Sequence, residues 1–157
     1  MAPKPAAPDG LSAARQLDEF LSRYTPQMRA LAVAALAKMR ARLPGAVQLV
    51  YDNYNALVIA FGPTEITSDV VFSITLYPRW VSLFFTHGAA LPDPRKLLCG
   101  SGTRVRSIVL QSADDLDKPA VRALLAAALK ARPIDPRGEG GLVIKLISKN
   151  QRPRRPR

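Results

Sequence analysis

Residues 70–86 read VVFSITLYPRWVSLFFT, and this pattern predicts the centre of a β-sheet. Over residues 70–77, strongly apolar side chains alternate with more polar ones, which is typical of a strand with one covered and one partly wet face. Residues 80–86 are rich in β-branched and aromatic types, which indicates a second strand. Pro78 and Arg79 form a tight connection between them, so the sequence predicts an antiparallel hairpin.

Strand-like segments on both sides extend this hairpin into a larger sheet. The further strands are predicted at residues 47–51, 56–61, 104–110 and 142–147, the last as an edge strand. A turn at residues 52–55 joins the first two, and its Asp and Asn side chains suit bonds to nearby backbone donors. A glycine-rich turn at residues 99–103 precedes the next strand. We therefore predict an antiparallel sheet of about five to six strands.

Helical periodicity appears before and after the sheet. Apolar residues recur every three or four positions in segments that predict helices at residues 11–24, 26–43 and 118–132. Asp9 is the expected cap of the first helix, and Thr25 with Pro26 suits the start of the second. This order of elements predicts an α+β fold with two N-terminal helices and one C-terminal helix packed on the sheet.

Composition bounds the class of protein. The chain has 157 residues, of which 48% are hydrophobic, enough for one substantial core. No apolar run approaches the roughly 20 residues that a membrane-spanning helix requires. The sequence MAPKPAAPDG lacks the apolar segment of a secretory signal and Cys99 is the single cysteine, so we expect a cytoplasmic protein without a disulfide framework. The expected organisation is a Pro-rich disordered tail at residues 1–10, one domain at 11–148 and a basic disordered tail at 149–157.

Four motifs are similar to those of a known family. They are YDNYNALVIAFGP from Tyr51, LYPRWVSLFF from Leu76, GAALPDPRKLLCGSGTRVRSIVL from Gly88 and DLDKPAVRALL from Asp115. Over roughly residues 24–132 the chain resembles the YdhG-like domain family. The resemblance implies a small cytosolic bacterial α+β domain with an antiparallel sheet. It implies no settled activity and supplies no set of site residues.

Some relatives in that family are described as frataxin-like iron chaperones, which makes iron handling an alternative function. Iron delivery needs clustered carboxylates or imidazoles as ligands. The sequence offers only His87 and the group Asp114, Asp115 and Asp117. Those carboxylates fit the start of the third helix better, because negative charge there matches the helix dipole. We predict no metal site and no cofactor.

One candidate surface gathers amphipathic aromatic side chains, amides and an arginine where strand ends meet. Its predicted members are Tyr51, Asn53, Tyr54, Asn55, Tyr77, Arg79 and Trp80. Such residues suit a polar ligand or a partner peptide. Trp80 and Phe84 also share a strand face, which suits base stacking. The alternative is that the amides satisfy a turn and the aromatic rings cover the sheet.

The C-terminal segment is the strongest charge feature of a chain whose formal net charge is +11. Its basic tail comprises Lys149, Arg152, Arg154, Arg155 and Arg157, and no apolar residue anchors it. A mobile basic tail displaces counterions from phosphates and gives salt-sensitive nucleic-acid binding. The alternative is a solvated tail that maintains solubility.

Two smaller groups complete the candidates. One is a glycine-rich turn followed by arginines, a candidate anion site made of Gly100, Gly102, Arg104 and Arg106. A plain hairpin turn is the alternative, because the spacing of a phosphate loop is missing. The other is Cys99 with His87, the pair that a Cys/His enzyme would need, although lone residues of both kinds are usually structural. We predict a non-enzymatic binding module with a basic surface, for an anionic ligand or nucleic acid, and no catalytic residue.

Overall fold

The computed structural model of this protein describes residues 10–156. The helices in this part of the chain are α1 (Gly10–Ser22), α2 (Pro26–Arg42) and α3 (Pro119–Ala131). The strands are β1 (Val47–Asp52), β2 (Leu57–Gly62), β3 (Phe72–Leu76), β4 (Val81–Phe85), β5 (Arg106–Leu110) and β6 (Leu142–Ile147). This order confirms the predicted α+β fold. The expected cap Asp9 lies outside the described residues.

The six strands of the described chain form one sheet in the order β5-β4-β3-β2-β1-β6. Each neighbouring pair from β1 to β5 is antiparallel, as predicted. β6 pairs with β1 in parallel, so the sheet is mixed and the expectation of antiparallel pairing does not hold for its last strand. β5 lies at the opposite edge and runs in the same direction as β1. The chain crosses from β5 to β6 through α3, and such a crossover lets β6 run in that direction too, parallel to β1.

The main core lies between the helices and one face of the sheet. Fully buried aliphatic side chains form a row across four strands on this face: Val50, Ile59, Ile74 and Leu83. The predicted apolar stripe of α2 belongs to the same core, with Ala32, Ala35, Leu36 and Met39 buried. Burying each large aliphatic side chain stabilises the fold by about 1.5–3 kcal/mol. The predicted start of α2 is also confirmed, because the Thr25 hydroxyl accepts the Met28 N–H at 3.3 Å and Pro26 follows it.

The opposite face of the sheet carries a much smaller cluster. Leu49, Ala60 and Val70 are buried there, and the partly buried residues around them also come from strands, with no helical residue among them. Val70 belongs to the loop between β2 and β3, so this loop covers one part of the face. Elsewhere on this face Thr75 and Phe84 line an open groove. The sheet therefore has a helix-covered face and a partly open one.

The chain after β6 returns to the turn between β1 and β2. The Ser148 N–H donates to the Asp52 carbonyl oxygen at 2.8 Å, and the Arg152 N–H donates to that of Tyr54 at 2.9 Å. The side chain of Arg154 is buried. The sequence predicts a tail without an anchor at residues 149–157. Over the described residues 149–156 this expectation needs correction, because the anchor is a buried charged side chain and not an apolar one.

Candidate functional site

Asp52, the last residue of β1, is a buried carboxylate immediately before the predicted surface residue Asn53. Its Oδ1 accepts a hydrogen bond from Nη2 of Arg154 at 2.9 Å, and its Oδ2 accepts one from Nε2 of Gln151 at 2.7 Å. Nη1 of Arg23 approaches Oδ2 to 3.4 Å. A carboxylate is stable in a protein interior only when it is paired and hydrogen-bonded, and these three side chains meet that need.

Arg154 holds the C-terminal segment, residues 148–156, onto the turn between β1 and β2. Its guanidinium donates to the carbonyl oxygens of Asn53 at 2.5 Å and Tyr54 at 3.3 Å. The charged group also lies 5.9 Å from the centre of the Tyr24 ring, within reach of a cation–π contact. Its Nε is buried and has no hydrogen-bond partner in the described structure. These contacts determine where the exposed arginines on either side of Arg154 lie.

Tyr77 and Trp80 form an aromatic stack at the hairpin between β3 and β4. Their ring centres are 4.5 Å apart and their planes are inclined by 21°. The Tyr77 N–H donates to the Trp80 carbonyl oxygen at 2.9 Å, which closes the turn around Pro78 and Arg79. Trp80 is 42% exposed, so part of the indole is open to solvent. The ring partner of Trp80 is thus Tyr77, while Phe84 lines the groove on the open face of the sheet.

The aromatic stack and the C-terminal segment line one cavity of about 580 Å³. Its lining residues are Asn55, Tyr77, Pro78, Arg79, Trp80, Arg152, Pro153, Arg155 and Pro156. We name its aromatic and polar members the aromatic–arginine surface: Asn55, Tyr77, Arg79, Trp80, Arg152 and Arg155. Three arginines and no carboxylate line this cavity within the described chain, so its electrostatic potential is positive.

The arginines of this surface are available to an anion. Within residues 10–156, neither Arg79 nor Arg152 has a carboxylate within ion-pair distance. Nε of Arg155 donates to the carbonyl oxygen of Arg23 at 3.2 Å, which orients the guanidinium without neutralising it. Exposed guanidinium groups without a counter-charge bind phosphate or carboxylate through paired N–H donors.

A larger groove of about 700 Å³ continues from this surface across the open face of the sheet. The two cavities share Asn55 and Tyr77, so they form one continuous region. Amides, hydroxyls and apolar side chains line the groove, among them Asn53, Tyr54, Ser73, Thr75, Phe84 and Leu146. Six of the seven predicted surface residues therefore meet here. Tyr51 does not, because its hydroxyl lies 2.6 Å from that of Thr67 and it lines neither cavity.

The predicted basic tail divides into residues with different surroundings. Arg152 and Arg155 reach the aromatic–arginine surface, whereas Arg154 is buried with Asp52. Lys149 is exposed and lines neither cavity. Arg157 lies outside the described residues. The structure thus adds Asp52 and Gln151 as residues that hold the C-terminal segment next to the site. The sequence carries no local signal for them, because Asp52 sits in an ordinary turn motif and 102 positions separate it from Arg154.

The glycine-rich turn is held together by one of its own arginines. Nη1 of Arg106 donates to the carbonyl oxygens of Gly102 and Val105, both at 2.7 Å. Gly100 has a φ of +133°, a conformation that favours glycine. Arg104 is exposed. Since this turn directs carbonyl oxygens at Arg106, the geometry favours the hairpin interpretation over an anion site.

The remaining candidates have ordinary surroundings. The exposed Cys99 thiol lies 3.9 Å from the Leu97 carbonyl oxygen, and no hydrogen bond in the described structure joins it to His87. No group of three or more His, Cys, Asp or Glu side chains suited to a metal ion occurs within residues 10–156. Asp115 and Asp117 instead belong to a short 3₁₀ helix, Ala113–Asp117, that leads into α3. Asp117 pairs there with Lys38 and Arg42.

No family model, no curated protein and no solved structure matches this chain. Membership of the YdhG-like family therefore stays a prediction from its motifs. Within the part of the chain that the structure describes, no helix is long and apolar enough to cross a membrane. What the fold and the site define is an α+β domain with a positive, partly aromatic surface at one end of its sheet.

Proposed function

We propose that this domain binds single-stranded nucleic acid at the aromatic–arginine surface and catalyses no reaction there. One observation carries the proposal: the Tyr77–Trp80 stack and three arginines line the same cavity. Proteins that bind single strands without sequence preference combine these two elements, an aromatic platform for bases and a positive track for the backbone.

The aromatic stack supplies the platform for a base. Tyr77 supports one ring of the pair, and the exposed part of Trp80 offers its π surface to solvent. Stacking of one base on an aromatic side chain contributes about 1–3 kcal/mol and tolerates every base, because each has a π face. The stack therefore predicts affinity with little sequence preference.

The arginines supply the contacts to phosphates. The buried Arg154 fixes the segment that carries Arg152 and Arg155, so these side chains extend from an ordered backbone. Less conformational entropy is lost on binding when the groups that bind are already ordered. If each of Arg79, Arg152 and Arg155 contacts one phosphate, the logarithm of the affinity falls with the logarithm of salt with a slope of about −2.

The shape of the site favours a single strand over a duplex. The groove is a concave extension of the surface across the sheet, and Asn53 and Asn55 are among its lining residues. Such groups bond to the exposed edges of unpaired bases. Duplex readout instead needs a helix or a β-ribbon that enters the major groove. The hairpin of β3 and β4 does not supply a free ribbon, because both strands are internal to the sheet.

The test is fluorescence anisotropy with a labelled oligo-dT strand and a duplex of mixed sequence, across a salt series, with the full chain. We expect the single strand to bind more tightly than the duplex. The double variant Arg152→Gln/Arg155→Gln should weaken binding and reduce the salt slope by about 1.4, since two phosphate contacts are lost. Trp80→Leu should weaken binding about tenfold and leave the slope unchanged.

The matched control is Arg95→Gln/Arg137→Gln, which removes the same charge from exposed positions outside both cavities. It should retain most of the affinity at moderate salt. Equal loss of affinity in both double variants would mean that net charge alone attracts the strand. That result, or no binding at moderate salt, would rule out the proposed site.

A further inference from the structure

A separate cavity lies at the other end of β4, between the sheet and α3. Its volume is about 240 Å³. Apolar side chains form most of its wall, including Val71, Phe85, Leu91 and Ala128. Its polar groups are His87, which follows β4, and Arg132, which follows α3. The cavity shares no residue with the aromatic–arginine surface.

His87 lines this cavity and has one hydrogen-bonding group without a partner in the described structure. Its Nε2 is buried and has no hydrogen-bond partner within the described residues. Burial, together with the positive charges of Arg132 and Arg104, lowers the pKa of His87, so its imidazole is neutral at neutral pH. A buried polar group without a partner costs about 1–3 kcal/mol, which a ligand atom that bonds to it recovers.

Arg132 supplies a charge beside this group. It is exposed, and no carboxylate lies within ion-pair distance of it in the described structure. Its neighbour Ala131 is also exposed, so this part of the wall is the side that opens to solvent. A ligand can therefore place an anionic group near Arg132 while its apolar part lies deeper, against Val71 and Phe85.

We propose that this cavity binds a small carboxylate with a compact apolar body. The carboxylate lies between Arg132 and His87, and a rotation of the neutral imidazole ring lets its Nε2–H donate a hydrogen bond to the carboxylate. The apolar body fills the space next to Phe85 and Leu91. Both parts of the ligand are needed. An anion without the apolar part buries no apolar surface, and a neutral molecule of the same shape is not attracted by the charge of Arg132.

The probe for this site is benzoate, with acetate and benzamide as its two controls. Benzoate should shift the amide NMR signals of His87, Leu91 and Ala131 in a saturable way, with an affinity in the millimolar range that its small size allows. Acetate lacks the apolar body, and benzamide lacks the charge, so both should bind much more weakly. The shifts should be confined to this end of β4 and to α3.

Two variants at exposed positions test the assignment with little risk to folding. Arg132→Gln should weaken benzoate binding about tenfold, the loss expected for one charge-assisted hydrogen bond. Ala131→Leu should weaken it by narrowing the opening. Lys130→Gln is the matched control, because it removes an equal charge two residues before Arg132, outside the cavity. The proposal fails if benzoate shifts no signal here, if benzamide binds as tightly, or if Lys130→Gln weakens binding as much as Arg132→Gln.

Discussion

At the scale of single residues, the pair formed by Asp52 and Arg154 connects fold and site. Both side chains are almost fully buried, with 1% and 3% of their surfaces exposed. A buried ion pair adds little stability compared with apolar residues of similar volume, but the loss of one partner leaves the other charge uncompensated. The pair therefore serves to fix the position of the C-terminal segment.

The first prediction concerns this pair. Arg154→Met should destabilise the domain by about 3–5 kcal/mol, because Asp52 then lacks its main counter-charge in a buried position. Urea denaturation of the variant and the natural chain measures the difference. Arg152→Met is the matched control in the same segment, and its exposed side chain should change stability by less than about 0.5 kcal/mol. Equal stabilities of Arg154→Met and Arg152→Met would contradict the burial of Arg154.

A second residue-scale prediction concerns Tyr24 at high pH. The Tyr24 hydroxyl donates to the Leu76 carbonyl oxygen at 3.2 Å, and burial raises the pKa of Tyr24 from 10.0 to about 12. The folded state holds this proton more tightly than the unfolded state. The stabilisation from this proton is complete below the pKa of Tyr24 in the unfolded chain. It is lost as pH rises from about 10 towards 12, and the free energy of unfolding falls by about 2 to 3 kcal/mol in total.

Urea denaturation of the natural chain and of Tyr24→Phe between pH about 9 and 11 isolates this effect. The natural chain should lose stability faster than the variant as pH rises, since the variant has no hydroxyl to ionise. Parallel pH profiles would show that Tyr24 ionises at the same pH in the folded and unfolded states.

The residues of the site differ in how well the sequence predicts them. Tyr77, Trp80 and the turn of residues 53–55 each belong to a hairpin that the strand pattern predicts. Because both hairpins turn at the same end of the sheet, the sequence also predicts that these residues lie at one end. The role of Asp52 does not follow in this way. Its partners Gln151 and Arg154 arrive through the parallel strand β6, and strand periodicity is the same for parallel and antiparallel pairing.

At the scale of elements, the C-terminal segment is hydrogen-bonded to the turn between β1 and β2 and stabilises it. Ser148, Gln151 and Arg152 all bond to this turn or to Asp52, in addition to Arg154. The sequence alone predicts that this segment can be removed with little effect on folding. The structure predicts the opposite for the part that includes Arg154.

The third prediction follows from these hydrogen bonds of the C-terminal segment. A chain that ends at Ser148 should be at least as destabilised as Arg154→Met, because it loses Gln151 and the Arg152 N–H as well. A chain that ends at Arg155 is the matched control and should keep nearly the full stability, since it retains every one of these groups. Thermal unfolding of the two forms measures the difference. Unchanged stability of the chain that ends at Ser148 would show that the segment is not anchored.

The 3₁₀ helix before α3 shows where element boundaries depend on tertiary contacts. The sequence predicts the acidic cluster as the start of a helix from residue 118, and α3 begins at Pro119. The carboxylates also have a long-range role. Nζ of Lys38 in α2 lies 2.5 Å from Oδ2 of Asp117, and this contact holds the pKa of Asp117 below its usual range. The ion pair of Lys38 and Asp117 forms only because α2 packs against the 3₁₀ helix. A local sequence pattern therefore does not predict it.

At the scale of the whole molecule, the composition predicts a basic protein but not the place of its charge. Six of the 12 acidic residues form ion pairs with Lys or Arg in the described structure: Asp18, Glu19, Asp52, Asp114, Asp115 and Asp117. None of the described acidic residues lines the aromatic–arginine surface. Part of the formal net charge of +11 is therefore concentrated beside the aromatic stack. Folding creates this arrangement by bringing the β3–β4 hairpin and the C-terminal segment together.

The most direct test uses the intrinsic fluorescence of Trp80, the single tryptophan of the chain. The full chain is titrated with unlabelled oligo-dT at moderate salt, and anisotropy of a labelled strand is followed under the same conditions. Stacking of a base on Trp80 predicts saturable quenching with the same midpoint as the anisotropy change, and an equal weakening of both signals as salt rises. Strand binding that leaves the emission of Trp80 unchanged would contradict the proposed site.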